Sequence, residues 1–153
     1  MKTLTYEQAL SRAASLCSSA EHCSSEIRKK LLLRGLSPAQ VEKAISYLIE
    51  EKYIDNKRFC RAYCLDKLRY NHWGRIKISQ MLRMMEMESN DISDGLEAIP
   101  EEEYQEALSH ILTQKNHQLR DADPYIRKSK LIRHALSRGF ETHLIMEFLT
   151  QFC

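Results

Sequence analysis

The chain has 153 residues, 43% of them apolar and 29% charged, with a formal net charge of +2. That is enough for one ordinary domain or for several small units sharing an interface, and too apolar for wholesale disorder. Nowhere do about 18 apolar residues run together, so no membrane-spanning helix is expected. The opening stretch to Cys17 is broken by Glu7, Gln8 and Arg12 and does not read as a signal peptide, so a cytoplasmic protein is expected.

In chain order, apolar spacings of three and four predict helices throughout, and the fold class is all-α. The first helix runs from about Thr5 to Ala20. The second is expected to be capped at its start by Ser24 or Ser25 and to stop at Gly35, and the third to be capped by Ser37 with Pro38 in its first turn. A fourth spans about Asp55 to Tyr70, after which Gly74 marks a left-handed cap or a tight turn. Beyond it come a helix from about Pro100 to Leu119, a start at Asp123 with Pro124, and a stop at Gly139.

Sliding the chain along itself shows a repeat. At a shift of 51 residues, Ile27, Leu31, Leu36, Val41, Ile45 and Leu48 fall on Ile78, Leu82, Met87, Ile92, Leu96 and Ile99. A further 53 residues reaches Leu131, Ala135, Phe140, Ile145, Leu149 and Phe152, with Gly35 landing on Gly139. One further amphipathic helix lies ahead of each pair. The expectation is three tandem three-helix, helix-turn-helix-like repeats, over residues 1–52, 53–99 and 100–153, stacked into an elongated, curved molecule.

The five cysteines, Cys17, Cys23, Cys60, Cys64 and Cys153, lie in helical patterns and are expected to be reduced and structural. Cys60 and Cys64 share a helix face near His72, but no second ligand pair completes a metal site. Phosphate-loop glycines, a nucleophile elbow and a zinc-protease His-Glu-x-x-His are absent from the sequence, and the six histidines are scattered. No catalytic residue, metal or cofactor is therefore expected.

Charge is balanced overall but segregated along the chain. Residues 24–83 carry 14 Lys and Arg against six Asp and Glu, net +8, whereas residues 84–124 carry two against 11, net −9. A basic surface of this kind attracts either a phosphate backbone or an acidic protein face. The acidic run Glu101, Glu102, Glu103 and Glu106 follows Pro100, where acids suit a helix N-terminus. It is expected to face solvent or to meet a basic patch on a partner. Trp73 is left with two roles, stacking on an unpaired base or covering the joint between two helices.

The run Leu31 to Leu36 (LLLRGL), then Ile54-Asp55 through Arg58-Phe59 to Tyr63, resembles the RecX family of recombinase regulators. Gly74, Ile78 and Leu82 fit that family's Gly-x-x-x-Ile-x-x-x-Leu run, and Lys130-Leu131, Arg133 and Arg138-Gly139-Phe140 fit its third repeat. The resemblance extends from about Ala9 to Leu149. It departs at Arg75, where a proline often follows the glycine, and at Glu86, where a glycine is usual, so the second helix of the middle repeat is expected to begin or end differently.

The resemblance implies a non-enzymatic regulator of homologous recombination and DNA repair. Such a protein binds the RecA filament and most often inhibits its ATP hydrolysis and strand exchange, with single-stranded DNA contact possible and a monomer expected. Candidate contact residues for partner or DNA are Arg28, Lys29, Arg58, Arg61, Arg69, Arg75, Lys77, Arg83, Lys130 and Arg133. The alternative is an autonomous helical nucleic-acid-binding module.

Overall fold

In a computed structural model, residues 3–152 are described, with side chains from 3 to 151; Cys153 and the side chain of the repeat position Phe152 lie outside them. Thr5 opens α1 (Tyr6–Ser19) with a reciprocal cap, its hydroxyl accepting the Gln8 amide at 3.2 Å while its own amide donates to the Gln8 side chain at 3.1 Å. Ser37 and Gln40 repeat the arrangement ahead of α3 (Pro38–Glu50). Asp55 caps α4 (Asn56–Asn71) through the Arg58 amide, and Asp123 caps α8 (Pro124–Ser137) through the Tyr125 amide.

Two caps differ from expectation. The N-cap of α2 (Ser24–Leu33) is Cys23, whose amide donates to Glu26 at 3.2 Å. Both serines are used elsewhere: Ser24 exchanges hydrogen bonds with Asn56, and the Ser25 hydroxyl donates to the Met85 carbonyl at 2.7 Å. Of the two readings of Gly74, the tight turn between α4 and α5 (Arg75–Met84) holds and the left-handed cap of α4 does not. His72, in the left-handed region at φ 55°, ends α4, and Gly74 opens α5.

The remaining helices are α6 (Ser89–Glu97), α7 (Glu101–Gln118) and α9 (Thr142–Phe152). The described residues form three helix triads, α1 to α3, α4 to α6 and α7 to α9. Of the repeat positions whose side chains are described, all are buried except half-buried Leu96. Glu86 takes φ 63° where Gly35 and Gly139 take 91° and 92°, so the departure from glycine leaves the end of α5 in register and places a side chain in a left-handed turn.

Two apolar cores run through the stack. One, from Leu4 to Ile54, belongs to the first triad. The other fuses the second and third triads from Phe59 to Leu149, with Cys23 reaching in from α2. The accessible surface, 9409 Å², exceeds the roughly 8,000 Å² of a rounded monomer of this mass, which gives the stack its elongated form.

The triads are joined the same way twice. Ser25, at the start of α2, donates to the Met85 carbonyl at the turn after α5. At the start of α5, the amides of Gly74 and Ile76 donate at 2.7 and 3.0 Å to the carbonyls of Arg138 and Gly139, at the turn after α8. Each second helix thus plants its N-terminus on the left-handed turn of the next triad. At the second joint a Cβ on Gly74 would meet the Gly139 backbone at less than 3.0 Å, so only glycine permits this approach.

Candidate partner-binding surface

Arg75 knits the second joint together. Its amide donates to the Tyr104 hydroxyl at 2.9 Å, and its guanidinium donates to Glu141 at 2.8 Å and Glu101 at 2.7 Å while lying 3.7 Å over the Tyr104 ring. The Tyr104 hydroxyl in turn donates to Glu141. Proline at position 75 would have no amide to offer this network. Burial, then the bond to Glu141, raises the Tyr104 phenol pKa.

The same kind of pairing takes up most of the basic candidates. Arg69 grips Glu103 with two bonds of 2.8 and 2.9 Å, and Arg61 grips Asp94 at 2.6 and 2.9 Å, with Lys57 3.8 Å from the same carboxylate. Arg58 meets Glu21 at 2.6 Å, Arg28 meets Glu42 at 2.7 Å, and Lys130 meets Asp121 at 2.7 Å. Bonds from Arg61, Arg69, Arg28 and Lys130 hold Asp94, Glu103, Glu42 and Asp121 below the usual carboxylate range.

Six of the ten candidates therefore face carboxylates of their own chain. Lys29, Arg83 and Arg133 are exposed and have no carboxylate within 4.0 Å among the described residues. Lys77 is half-buried, its ammonium 4.7 Å from the centre of the Trp73 ring, with Lys67 5.0 Å from the same ring. Trp73 itself packs against the shared core, which is the joint-covering role.

The acidic run behaves differently from expectation, since Glu101 and Glu103 close back on Arg75 and Arg69. Packing α4 against α6 and α7 superposes the basic and acidic segments, so a charge dipole along the sequence becomes ion pairs across the helices. The partners Asp94 and Glu141 were not singled out from the sequence, whereas Glu103 was named there as part of the acidic run. For Asp94 the signal there was the −9 segment that follows the +8 one; Glu141 lies beyond that segment and had none.

Cys60 and Cys64 lie beneath α6, where Gly95 crosses so closely that its Cβ would meet the Cys60 carbonyl at less than 3.0 Å. Burial pushes both thiols up to about 12. Among the described residues, no group of three or more His, Cys, Asp and Glu is placed to hold a metal ion, and no helix is long and apolar enough to cross a membrane.

Among the described residues, nine helices in three triads, joined by a repeated helix-on-turn contact, define a tandem helical-repeat protein. Residues 9–48 match the first three-helix domain of RecX and residues 101–149 match the third, together more than half of the chain. The chain belongs to the RecX family.

The regulatory protein RecX of Clostridium botulinum (strain Eklund 17B / Type B) is 28% identical over 128 residues, 82% of this chain and 59% of that protein. That of Chlorobaculum tepidum is 27% identical over 139 residues, 91% of this chain and 84% of that protein. The chain thus spans little more than half of the Clostridium botulinum relative. The crystal structure of RecX from Lactobacillus salivarius superposes with a TM-score of 0.85 at 16% identity, over 95% of each chain. A second RecX crystal structure gives 0.84 at 22% identity, over 93% of this chain and 71% of that one.

Proposed function

We propose that this protein is a non-enzymatic regulator of homologous recombination and DNA repair that lies along the RecA filament and restrains its ATP hydrolysis and strand exchange. The observation that carries the reading is the match of both end triads to RecX domains, set on a stack whose second and third triads share one core. A body of that kind can touch neighbouring protomers of a helical filament at once. It then favours whichever filament geometry fits its own spacing, because a ligand shifts an equilibrium by its differential affinity for the two states.

Of the ten candidates, those left free for such contacts are Lys29, Lys77, Arg83 and Arg133; the guanidiniums of Arg61, Arg69 and Arg75 are engaged by carboxylates. This favours a protein partner over an autonomous nucleic-acid module, because neutralised side chains release few counterions from a phosphate backbone. The test is to add the purified protein to the cognate recombinase on single-stranded DNA and follow ATP hydrolysis. A fall in rate at equimolar protein supports the reading, and an unchanged rate with unchanged filament binding defeats it.

A further inference from the structure

The joints of the stack have a consequence at its first triad. The turn after α5 receives Ser25 of the preceding triad, and the turn after α8 receives Gly74 and Ile76 of the preceding triad. The corresponding turn after α2, at Arg34 and Gly35, has no preceding triad among the described residues. Among the described residues, the Leu4 amide donates to the Arg34 carbonyl at 3.0 Å and the exposed Thr3 side chain lies against Gly35. Beside this turn, between α1 and α2, lies an open groove of about 350 Å³.

The hollow has a cause in the sequence. Counting from each N-cap, the fourth and eighth residues are Phe59 and Tyr63 in α4, Tyr104 and Leu108 in α7, but Ala9 and Ala13 in α1. Two large side chains are replaced by methyl groups one helical turn apart. Leu33, 64% exposed, stands on the groove wall.

The rim is basic. Arg12, Lys30 and Arg34 line it, and none has a carboxylate within 4.0 Å among the described residues. Arg58, by contrast, is matched by Glu21 of the same chain and Arg69 by Glu103. An apolar floor excludes a phosphate backbone as the natural occupant, since its charges would lose water without gaining partners there.

A second copy cannot extend the stack in the same manner. At the repeat shift, Gly74 corresponds to Arg127, yet α8 begins at Pro124, so the matching amides lie inside a helix and are not free to dock.

We propose that the groove between α1 and α2 is a docking site for an acidic segment of a partner protein, which inserts two apolar side chains spaced one helical turn apart over Ala9 and Ala13. Its carboxylates meet Arg12, Lys30 and Arg34. The site is separable from the filament reading, and either can fail alone.

The probe is a short fluorescein-labelled peptide with two leucines one helical turn apart among aspartates and glutamates, followed by anisotropy against the full chain. Saturable binding is expected, weakened about tenfold or more by Lys30→Glu with Arg34→Glu and by Ala13→Leu, with unchanged far-ultraviolet circular dichroism. If Ala13→Leu perturbs the fold, the charge reversals and Leu33→Asp, all away from the core, still decide.

Four results overturn the proposal: no saturation up to about 1 mM peptide; equal binding by a control with serine in place of both leucines; binding unaffected by the charge reversals; or displacement of the peptide by self-association of the chain or by single-stranded oligonucleotide. Loss of peptide binding in the variants with recombinase inhibition retained separates the groove from the filament reading.

Discussion

Gly74 and Gly139 meet backbone to backbone where the second triad joins the third, the Ile76 amide donating to the Gly139 carbonyl at 3.0 Å and a Cβ on either glycine falling within 3.0 Å of its neighbours. Gly139 is at φ 92° and would strike Lys77. Alanine at position 139 thus combines a strained turn with a clash against backbone and Cβ. A loss of about 2–4 kcal/mol is expected, read as a lowered urea midpoint. Gly35→Ala, whose nearest neighbour is the exposed Thr3 side chain, is expected to cost less. Equal losses at the two positions would show that the joint adds nothing.

Glu86 offers the opposite case, an exposed side chain held at φ 63° where the other two turns have glycine. Glu86→Gly removes about 1–2 kcal/mol of left-handed strain and returns about 0.4–1 kcal/mol through the freer unfolded chain. The net expectation is a rise of about 2–4 °C in Tm for each kcal/mol gained, measured by calorimetry. A lowered Tm would mean that the Glu86 side chain makes a contribution beyond its backbone.

The pairs Arg61 with Asp94 and Arg69 with Glu103 mask positive charge that the sequence displays. Asp94→Asn with Glu103→Gln should leave stability nearly unchanged, because both pairs are exposed. It should increase binding to single-stranded DNA, with the slope of log affinity against log salt growing by up to about 0.7 for each cation released. Filter binding across a salt series measures this. An unchanged slope would show that these arginines lie away from any polyanion path.

Acid should loosen the α4 to α7 contact, where His72 stacks on His110 with ring centres 4.7 Å apart. Burial, then His110, then Arg138, lowers the His72 pKa from 6.5. The unfolded chain thus binds a proton at higher pH than the folded one, and stability falls as pH drops through 6.5 toward the folded value. His134, lowered by burial and by Lys115 and Arg138, acts in the same direction. Melting curves from pH 7.5 to 5.5 should show a falling Tm, and His72→Asn, which tolerates the left-handed cap, should flatten part of the slope. An unaltered slope in His72→Asn would remove this residue from the account.

Helix type, most caps and the threefold repeat could be read in the sequence because they are local. An N-cap such as Ser37 bonds three residues ahead, and Ile27, Leu31 and Leu36 recur as Ile78, Leu82 and Met87 because each triad solves the same burial problem. The cap of α2 was missed because Ser24 and Ser25 bond to Asn56 and Met85, far along the chain.

What the tertiary structure alone decided is where the charge ends up. Arg61 and Asp94 are 33 positions apart, Arg69 and Glu103 are 34, and nothing in local periodicity couples residues at that distance. Only the packing of α4 against α6 and α7 brings the basic and acidic stretches into register. The groove between α1 and α2 beside Arg34, floored by Ala9 and Ala13, keeps a basic rim with no carboxylate within 4.0 Å among the described residues.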